Sequence, residues 1–326
     1  MKFRKITGFL TAAAVLCTAG CSGFSRKPLT YTGVALDTVI SIQIYDSHDE
    51  SLIEQCQAMC EEYEAKFSRT IESSEVSQIN AAGGAPVEVS KDTVTLIKKG
   101  IYYGDLSNGA FDITIGAVSS LWDFKAEDPS PPSPEAIAEA VKHVNYRKIQ
   151  IDGNTVRLLD GAAKLDLGAI AKGYIADRLK EYLKEEGVRH ALINLGGNVL
   201  AVGDKLGGSP FNIGIQKPFD TDGEPITSVS LDNQSVVTSG TYQRYFEKGG
   251  ILYHHILSSS TGNPCNNGLN SVTIITNSSL TADALSTTCF LLGPDEGMKL
   301  VNQLDNVDAV FINTDNEIFY SRNFGK

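Results

Sequence analysis

Asp283 and Thr287 stand four residues apart in a segment whose residue pattern predicts a helix. Residues at this spacing share one helix face, so the carboxylate and the hydroxyl would point the same way. Oxygen ligands of this kind suit Mg²⁺, which takes few protein ligands and completes its shell with water or phosphate oxygens. The simpler interpretation is that Asp283 only interacts with the dipole of the first helical turn.

Residues 164–173, with the sequence KLDLGAIAKG, form a second candidate. We interpret them as a short strand, a tight turn and a helix N-terminus. The free N–H groups of a helix start favour anions such as phosphate, and Lys172 would add a full positive charge. Asp166 would hold a donor of the ligand or help to hold a cation. The alternative is an ordinary strand-to-helix turn with a solvated lysine.

Two further stretches carry polar side chains at predicted strand ends. His254 and His255 are adjacent at the end of a strand, where neighbours face opposite sides, so only one of them would face a pocket. Residues 238–242, TSGTY, join a strand end to a hydroxyl-rich turn of the kind that binds polar ligands.

Periodicity predicts the elements that would position these residues. Helices are expected at 50–67, 74–80, 91–106, 134–144, 171–187, 280–292 and 295–304. Strands are expected at 34–45, 191–195, 199–203, 212–216, 226–231, 235–238, 253–257 and 271–276, with hairpins at 148–159 and around 314–316. No repeat and no central linker is visible, which favours one intertwined α/β unit, or two subdomains sharing a cleft, over two independent domains.

The composition excludes some classes of function. The chain has 326 residues and a formal net charge of −11, which argues against sequence-independent binding of nucleic acid. The GxxxxGK[ST], GxGxxG, GxSxG and HExxH patterns are missing from the sequence.

The first residues resemble a secretory signal. Lys2, Arg4 and Lys5 precede a short apolar run, and Ala19-Gly20 comes directly before Cys21, as in a bacterial lipobox. We therefore predict a signal peptide at 1–20 and a lipidated tether at 21–31, with Cys21 as the mature N-terminus. The alternative is a plain cleaved signal, because Thr18 stands where a lipobox usually has Leu.

Four cysteines would remain in the mature chain. Cys56 and Cys60 are four residues apart in a helical pattern, a spacing that suits neither a disulfide nor a CxxC site, so we predict a buried apolar role for both.

In this order the motifs closely resemble those of the ApbE family, the FAD:protein FMN transferases, many of which are periplasmic lipoproteins. The main matching stretches are FSR at 67–69, SEVS at 74–77, GAFDIT at 109–114, DLGAIAKG at 166–173, NLGGN at 194–198, IGI at 213–215, TSG at 238–240, HIL at 255–257 and ADALST at 282–287. The resemblance covers the chain from about residue 32, so we take 32–326 as the family domain.

The resemblance implies an α/β (α+β) fold with a T-fold-like core and two intertwined subdomains around a central FAD cleft. It implies Mg²⁺-dependent transfer of FMN from FAD to a threonine or serine hydroxyl of an acceptor protein, with AMP leaving. By resemblance, the FAD contacts are Leu36, Thr70, Ala110, Phe111, Asp112, Asp166, Lys172, His255 and Ile256. The metal ligands are the Ala169 carbonyl and the side chains of Asp283 and Thr287.

His255 is the predicted catalytic base, because an imidazole titrates near neutral pH and the attacking hydroxyl must lose a proton. The alternative is that His255 only holds FAD. Two positions depart from the family pattern: Leu36-Asp37-Thr38 replaces the frequent Met-Gly-Thr, and Thr70 replaces a tyrosine that packs on FAD.

Two alternatives of other classes remain open from the sequence. One is a Mg²⁺-dependent FAD pyrophosphatase that gives FMN and AMP, and the other is a non-enzymatic flavin-binding lipoprotein. The expected acceptor is a subunit of a redox-driven membrane complex or an extracellular electron-transfer protein. The expected location is the outer face of the cytoplasmic membrane, through lipid on Cys21.

Overall fold

The structure is a computed structural model that describes residues 27–220 and 223–325. The predicted signal peptide and Cys21 lie outside the described residues. In the part of the chain that is described, no helix combines the length and the apolar character needed to cross a bilayer.

Fifteen strands and seven helices are found among the described residues. The strands are β1 (Leu29–Ala35), β2 (Thr38–Ile44), β3 (Val87–Glu88), β4 (Ile149–Asp152), β5 (Thr155–Leu158), β6 (Ala191–Leu195), β7 (Asn198–Val202), β8 (Phe211–Gln216), β9 (Pro225–Leu231), β10 (Ser235–Gly240), β11 (Tyr245–Lys248), β12 (Ile251–His254), β13 (Leu269–Thr276), β14 (Val307–Asn313) and β15 (Ile318–Tyr320). The helices are α1 (Glu50–Phe67), α2 (Glu75–Ala81), α3 (Lys91–Leu106), α4 (Gly116–Ser119), α5 (Pro134–Val141), α6 (Ala171–Glu185) and α7 (Ser279–Val301).

An eight-stranded antiparallel sheet organises the molecule, with the order β1-β2-β6-β7-β10-β13-β14-β15. Successive strand residues face opposite sides, and the two faces are covered differently. On one face, Ile193 and Ile274 belong to the main core together with Leu179 of α6 and Leu285 of α7. On the other face, the neighbouring strand residues pack against the β8–β9 ribbon. The predicted mixed α/β architecture is confirmed.

A smaller apolar cluster supports the region that follows α3. Trp122, Ile137 of α5 and Phe246 of β11 pack together, and the Trp122 indole N–H donates to the Gly262 carbonyl over 3.1 Å. This contact joins α4, α5 and the β11–β12 ribbon into one unit beside the main sheet.

Several predicted elements match the structure closely. Helices α1 and α3 have the predicted bounds, and Ser90 caps α3 by accepting from the Thr93 N–H over 3.3 Å. Helix α6 closes at Gly187, whose positive φ of 85° is the left-handed conformation that glycine adopts at helix ends. Cys56 and Cys60 are free thiols with no exposed surface, as predicted.

Three element predictions need correction. The strand predicted at 34–45 is a hairpin that turns at Leu36-Asp37, because both residues have positive φ. The strand predicted before Asp166 is only a single bridge between Lys164 and Ile115. Strand β11 was missed. The helices expected at 280–292 and 295–304 are confirmed as the two helical stretches of α7, which non-helical Gly293 separates with φ 84° and ψ 178°.

The first strand overlaps the range predicted for the tether. Strand β1 begins at Leu29, and Leu29, Tyr31 and their neighbours pair with β2.

Candidate active site

The start of α6 is held directly against α7 by one side chain. The Gly173 N–H donates to the Asp283 carboxylate over 2.8 Å. A Cβ at residue 173 would lie only 2.7 Å from the Asp283 Cβ and the Leu280 Cα, so the two helices approach this closely only because residue 173 is glycine. Two motifs that were separate in the sequence thus form one site.

This contact changes the hydrogen bonding of the first turn of α6. In a regular helix the Gly173 N–H would bond to the carbonyl of Ala169, four residues earlier. Here Gly173 donates to Asp283, and Ile170 between them is non-helical, with φ −141° and ψ −18°. No described residue donates a hydrogen bond to the Ala169 carbonyl. That oxygen therefore keeps its lone pairs for a ligand.

The Asp283 carboxyl is only 3% exposed, and burial raises its pKa. The Lys172 ammonium, the Gly173 N–H and the Asn198 amide oppose this rise, in that order. The Lys172 Nζ is 4.0 Å from Asp283 Oδ1 and 3.3 Å from the Gly168 carbonyl. A buried carboxylate favours positive charge beside it.

Thr287 lies one turn after Asp283 on α7 and is half-buried between fully buried neighbours. Its hydroxyl is 2.9 Å from the Ser239 hydroxyl, which is 2.8 Å from the Ser286 hydroxyl. Ser239, on strand β10, belongs to the hydroxyl-rich stretch 238–242 identified from the sequence, so the structure joins that stretch to the same site.

The oxygen atoms here fit Mg²⁺. Asp283, Thr287 and Ala169 offer a carboxylate, a hydroxyl and a carbonyl, and Mg²⁺ sites that include substrate phosphates use only one or two carboxylates. Within residues 27–220 and 223–325, no group of three or more His, Cys, Asp or Glu side chains is arranged to hold a metal.

Asp166 is held by groups that the sequence did not reveal. Its carboxylate is 3.2 Å from the Arg69 Nε and accepts from the Ser119 hydroxyl over 2.7 Å and from the Gly168 N–H over 2.9 Å. Arg69, Asn80 and Lys164 line an adjacent cavity of about 250 Å³. The positions of Arg69 and Ser119 in the sequence follow no recognisable spacing relative to Asp166. Arg69 does lie in FSR at 67–69, one of the stretches that resemble the family.

The contacts of His255 define its tautomer. Its Nδ1 is 3.3 Å from the Arg244 carbonyl, and its backbone N–H donates to that oxygen over 3.1 Å. A carbonyl only accepts, so Nδ1 carries the hydrogen and Nε2 keeps a lone pair. Burial, then the Arg244 charge, lowers the pKa of His255 to about 3. The near-neutral titration assumed from the sequence is therefore wrong for the ligand-free protein.

His254 faces the opposite way, as strand alternation predicted. His254 has no exposed surface and packs edge-on against the Phe290 ring, with the two ring centroids 5.9 Å apart. Burial lowers the pKa of His254 to about 4. We infer a packing role for His254, so only His255 of the pair is available to a ligand.

The turn between β1 and β2 is anchored to the segment that holds His255. Leu36 and Asp37 have φ of 55° and 59°, and Asp37 keeps the left-handed conformation that a glycine would adopt there. The Arg244 guanidinium donates to the Asp37 carbonyl over 3.2 Å, and Lys125 pairs with the Asp37 carboxylate. Leu36 is half-buried at the apex of this turn.

The remaining predicted contacts are dispersed around these groups. Thr70 is exposed beside Arg69, and its hydroxyl is 3.0 Å from that of Ser68. Ala110 is half-buried and Ile256 is buried.

Two of the predicted FAD contacts have side chains that face the protein. The Phe111 ring packs in the core, with its centroid 6.0 Å from the centroid of the Tyr103 ring. The Asp112 carboxylate accepts from the Thr114 N–H over 2.7 Å and from the Tyr146 N–H over 2.9 Å. Burial raises the pKa of Asp112, and these bonds oppose the rise. The Asp112 carboxylate therefore has a structural role in this segment.

Comparison with known proteins gives one consistent answer. The model of the ApbE family matches residues 36–311. The FAD:protein FMN transferase of Klebsiella pneumoniae is 38% identical over 299 residues, covering 91% of this chain and 92% of that protein. The enzyme of the same name from Treponema pallidum is 32% identical over 326 residues, covering 93% of this chain and 90% of its own length. The solved flavin transferase ApbE from Vibrio cholerae superimposes with a TM-score of 0.80 at 28% identity, over 91% of this chain and 98% of that one.

Proposed function

The chain belongs to the ApbE family, and we propose that it is an FAD:protein FMN transferase that uses Mg²⁺. The acceptor is a threonine or serine hydroxyl of a second protein, and AMP is the leaving group. The observation that carries this proposal is the Gly173–Asp283 contact, which places a buried carboxylate, an uncommitted carbonyl and Lys172 at one helix junction.

The reaction forms one bond and breaks one. The acceptor hydroxyl oxygen bonds to the phosphorus of the FMN half of FAD, and the bond from that phosphorus to the bridging oxygen breaks. AMP leaves with the bridging oxygen. Negative charge grows on the phosphoryl oxygens during this exchange, so positioning and electrostatic stabilisation supply most of the catalysis.

Each residue of the site has a part in this exchange. Bound Mg²⁺ would supply Lewis-acid stabilisation of the pyrophosphate oxygens, with Asp283, Thr287 and the Ala169 carbonyl as its protein ligands. Lys172 contacts the pyrophosphate and balances its charge. The Nε2 of His255 accepts the hydroxyl proton, and the bound dianionic pyrophosphate raises the pKa of His255 from its low ligand-free value.

The proposal is tested by intact-mass analysis of a candidate acceptor after incubation with this protein, FAD and Mg²⁺. The expected result is an acceptor heavier by one FMN less one water, with flavin that survives denaturation. Omitting the acceptor separates the other two functions. Rapid Mg²⁺-dependent release of AMP without acceptor would show pyrophosphatase activity, and tight FAD binding without turnover would show a flavin-binding protein. Either outcome, together with an unmodified acceptor in the complete mixture, refutes the transferase.

We propose the outer face of the cytoplasmic membrane as the location, with lipid on Cys21. The support is the basic, apolar and small-residue order of the first 21 residues. Mass analysis of the mature N-terminus tests this, and a chain that begins at a residue other than a lipidated Cys21 would refute it.

Lys172→Ala should weaken use of FAD. A hydrogen bond to a charged group contributes about 1.5–3 kcal/mol, so kcat/KM for FAD should fall by about 10- to 100-fold. Lys184→Ala, at an exposed position in the last turn of the same helix, is the matched control and should stay within about twofold. Equal kinetics for the two variants would remove Lys172 from the site.

A further inference from the structure

A chain of four hydrogen-bonding groups links the backbone of α7 to the predicted metal ligand Thr287. Ser286 Oγ contacts the Asp283 carbonyl oxygen at 2.8 Å, Ser239 Oγ contacts Ser286 Oγ at 2.8 Å, and Thr287 Oγ1 contacts Ser239 Oγ at 2.9 Å. Ser286 and Ser239 are 0% and 8% exposed, so water has little access to compete for these contacts.

The direction of each hydrogen bond follows from the number of hydrogens. A hydroxyl carries one hydrogen, and a carbonyl oxygen carries none. Ser286 must therefore donate to the Asp283 carbonyl, which leaves its oxygen as an acceptor for Ser239. Ser239 has then used its only hydrogen, so its oxygen must accept from Thr287.

The Thr287 hydroxyl is thus fixed with its hydrogen toward Ser239. Its remaining lone pairs face away from Ser239, at the half-exposed end of the chain. A cation requires lone pairs and is repelled by a hydroxyl hydrogen, so this orientation prepares Thr287 Oγ1 as a ligand in advance.

We propose that Ser239 is a positioning residue of the metal site, which acts by fixing the hydroxyl direction of Thr287. Ser286 supports Ser239 in this role. The proposal rests on the proposed Mg²⁺ site and adds two residues to it from strand β10 and helix α7. Ser239 touches neither the metal nor FAD in this role and acts only through Thr287.

The test is calorimetric titration of Mg²⁺ into the full chain with FAD bound, beside thermal melting of each variant. Removing a partner that orients a ligand typically costs about 10- to 100-fold in metal affinity, and we expect a loss in this range for Ser239→Ala. Ser286→Ala should lose less, because the Ser239 hydroxyl stays beside Thr287 and can still accept from it, although Ser286 no longer forces that direction. Ser239→Thr retains the hydroxyl and should recover much of the affinity.

Thr238→Val is the matched control. Thr238 is the preceding residue on β10, and its hydroxyl also pairs with a hydroxyl, that of Thr273 at 2.8 Å, but outside the chain of bonds. The Mg²⁺ affinity of the Thr238→Val variant should match that of the unmodified protein within about twofold. Unchanged affinity in a folded Ser239→Ala variant would overturn the positioning role alone, whereas absence of Mg²⁺ binding by the unmodified protein would overturn the metal site itself.

Discussion

Asp283→Asn should abolish Mg²⁺-dependent FMN transfer while leaving the protein folded. The amide oxygen of Asn can still accept from the Gly173 N–H, so the junction of α6 and α7 is retained. The negative charge is lost, and with it the main attraction for the metal. Metal stabilisation of a phosphoryl transition state is worth several kcal/mol, so the rate should fall by about 10³-fold or more.

The same substitution should keep or raise the melting temperature. Burial raises the pKa of Asp283, so its charged form costs free energy in the folded state that a neutral amide does not. Enzyme assays and thermal melting of the same preparation therefore give opposite results. Asp295→Asn, at an exposed position farther along α7, is the control and should change neither. Full activity of folded Asp283→Asn would remove Asp283 from the metal site.

His255→Asn should lower kcat by about 10²- to 10⁴-fold, the range that general-base catalysis contributes. The Asn amide can still donate to the Arg244 carbonyl in place of Nδ1, but no nitrogen remains at the position of Nε2. FAD affinity should change much less than kcat, because the loop keeps its bond to Arg244. Equal losses in FAD affinity and kcat/KM would show that His255 only holds FAD.

The pH dependence gives a second check on His255. A base acts when it is deprotonated, and a pKa lowered to about 3 keeps His255 deprotonated at every pH above that value. The kcat/KM profile, which reports the free enzyme, should therefore show no loss from this group between about pH 8 and pH 5. A fall in kcat/KM centred near pH 6.5 that is absent from His255→Asn would contradict the low pKa of His255. His143→Asn, which changes a histidine bonded to Asp160, is the control.

Local patterns predicted the helices well because their signals lie within each segment. Ser90 and the apolar spacing of α3 define that helix without help from distant residues. The turn at Leu36-Asp37 was missed because Leu36 is not a usual turn former and the single turn-forming residue Asp37 lies within an alternating, β-rich run. Its positive φ values are supported by contacts of Asp37 with Arg244 and Lys125, which are distant in the sequence.

The candidate site shows the same limit. The four-residue spacing predicted that Asp283 and Thr287 share a helix face, and both lie on α7 as expected. The partners that orient them, Gly173, Ser239 and Asn198, come from three other segments, and no spacing rule links those segments to α7. The lowered pKa of His255 is likewise a property of its surroundings, so the residue type alone gave the wrong value.

The contact between Gly173 and Asp283 also determines the stage of folding at which the metal site is complete. The two residues are 110 positions apart, so the first turn of α6 is synthesised long before the carboxylate that completes it. A nascent chain that has folded only through α6 has the Ala169 carbonyl and Lys172 but no acidic ligand beside them. Metal binding at this site therefore requires α7 to dock against α6, so a partly folded chain lacks a complete metal site.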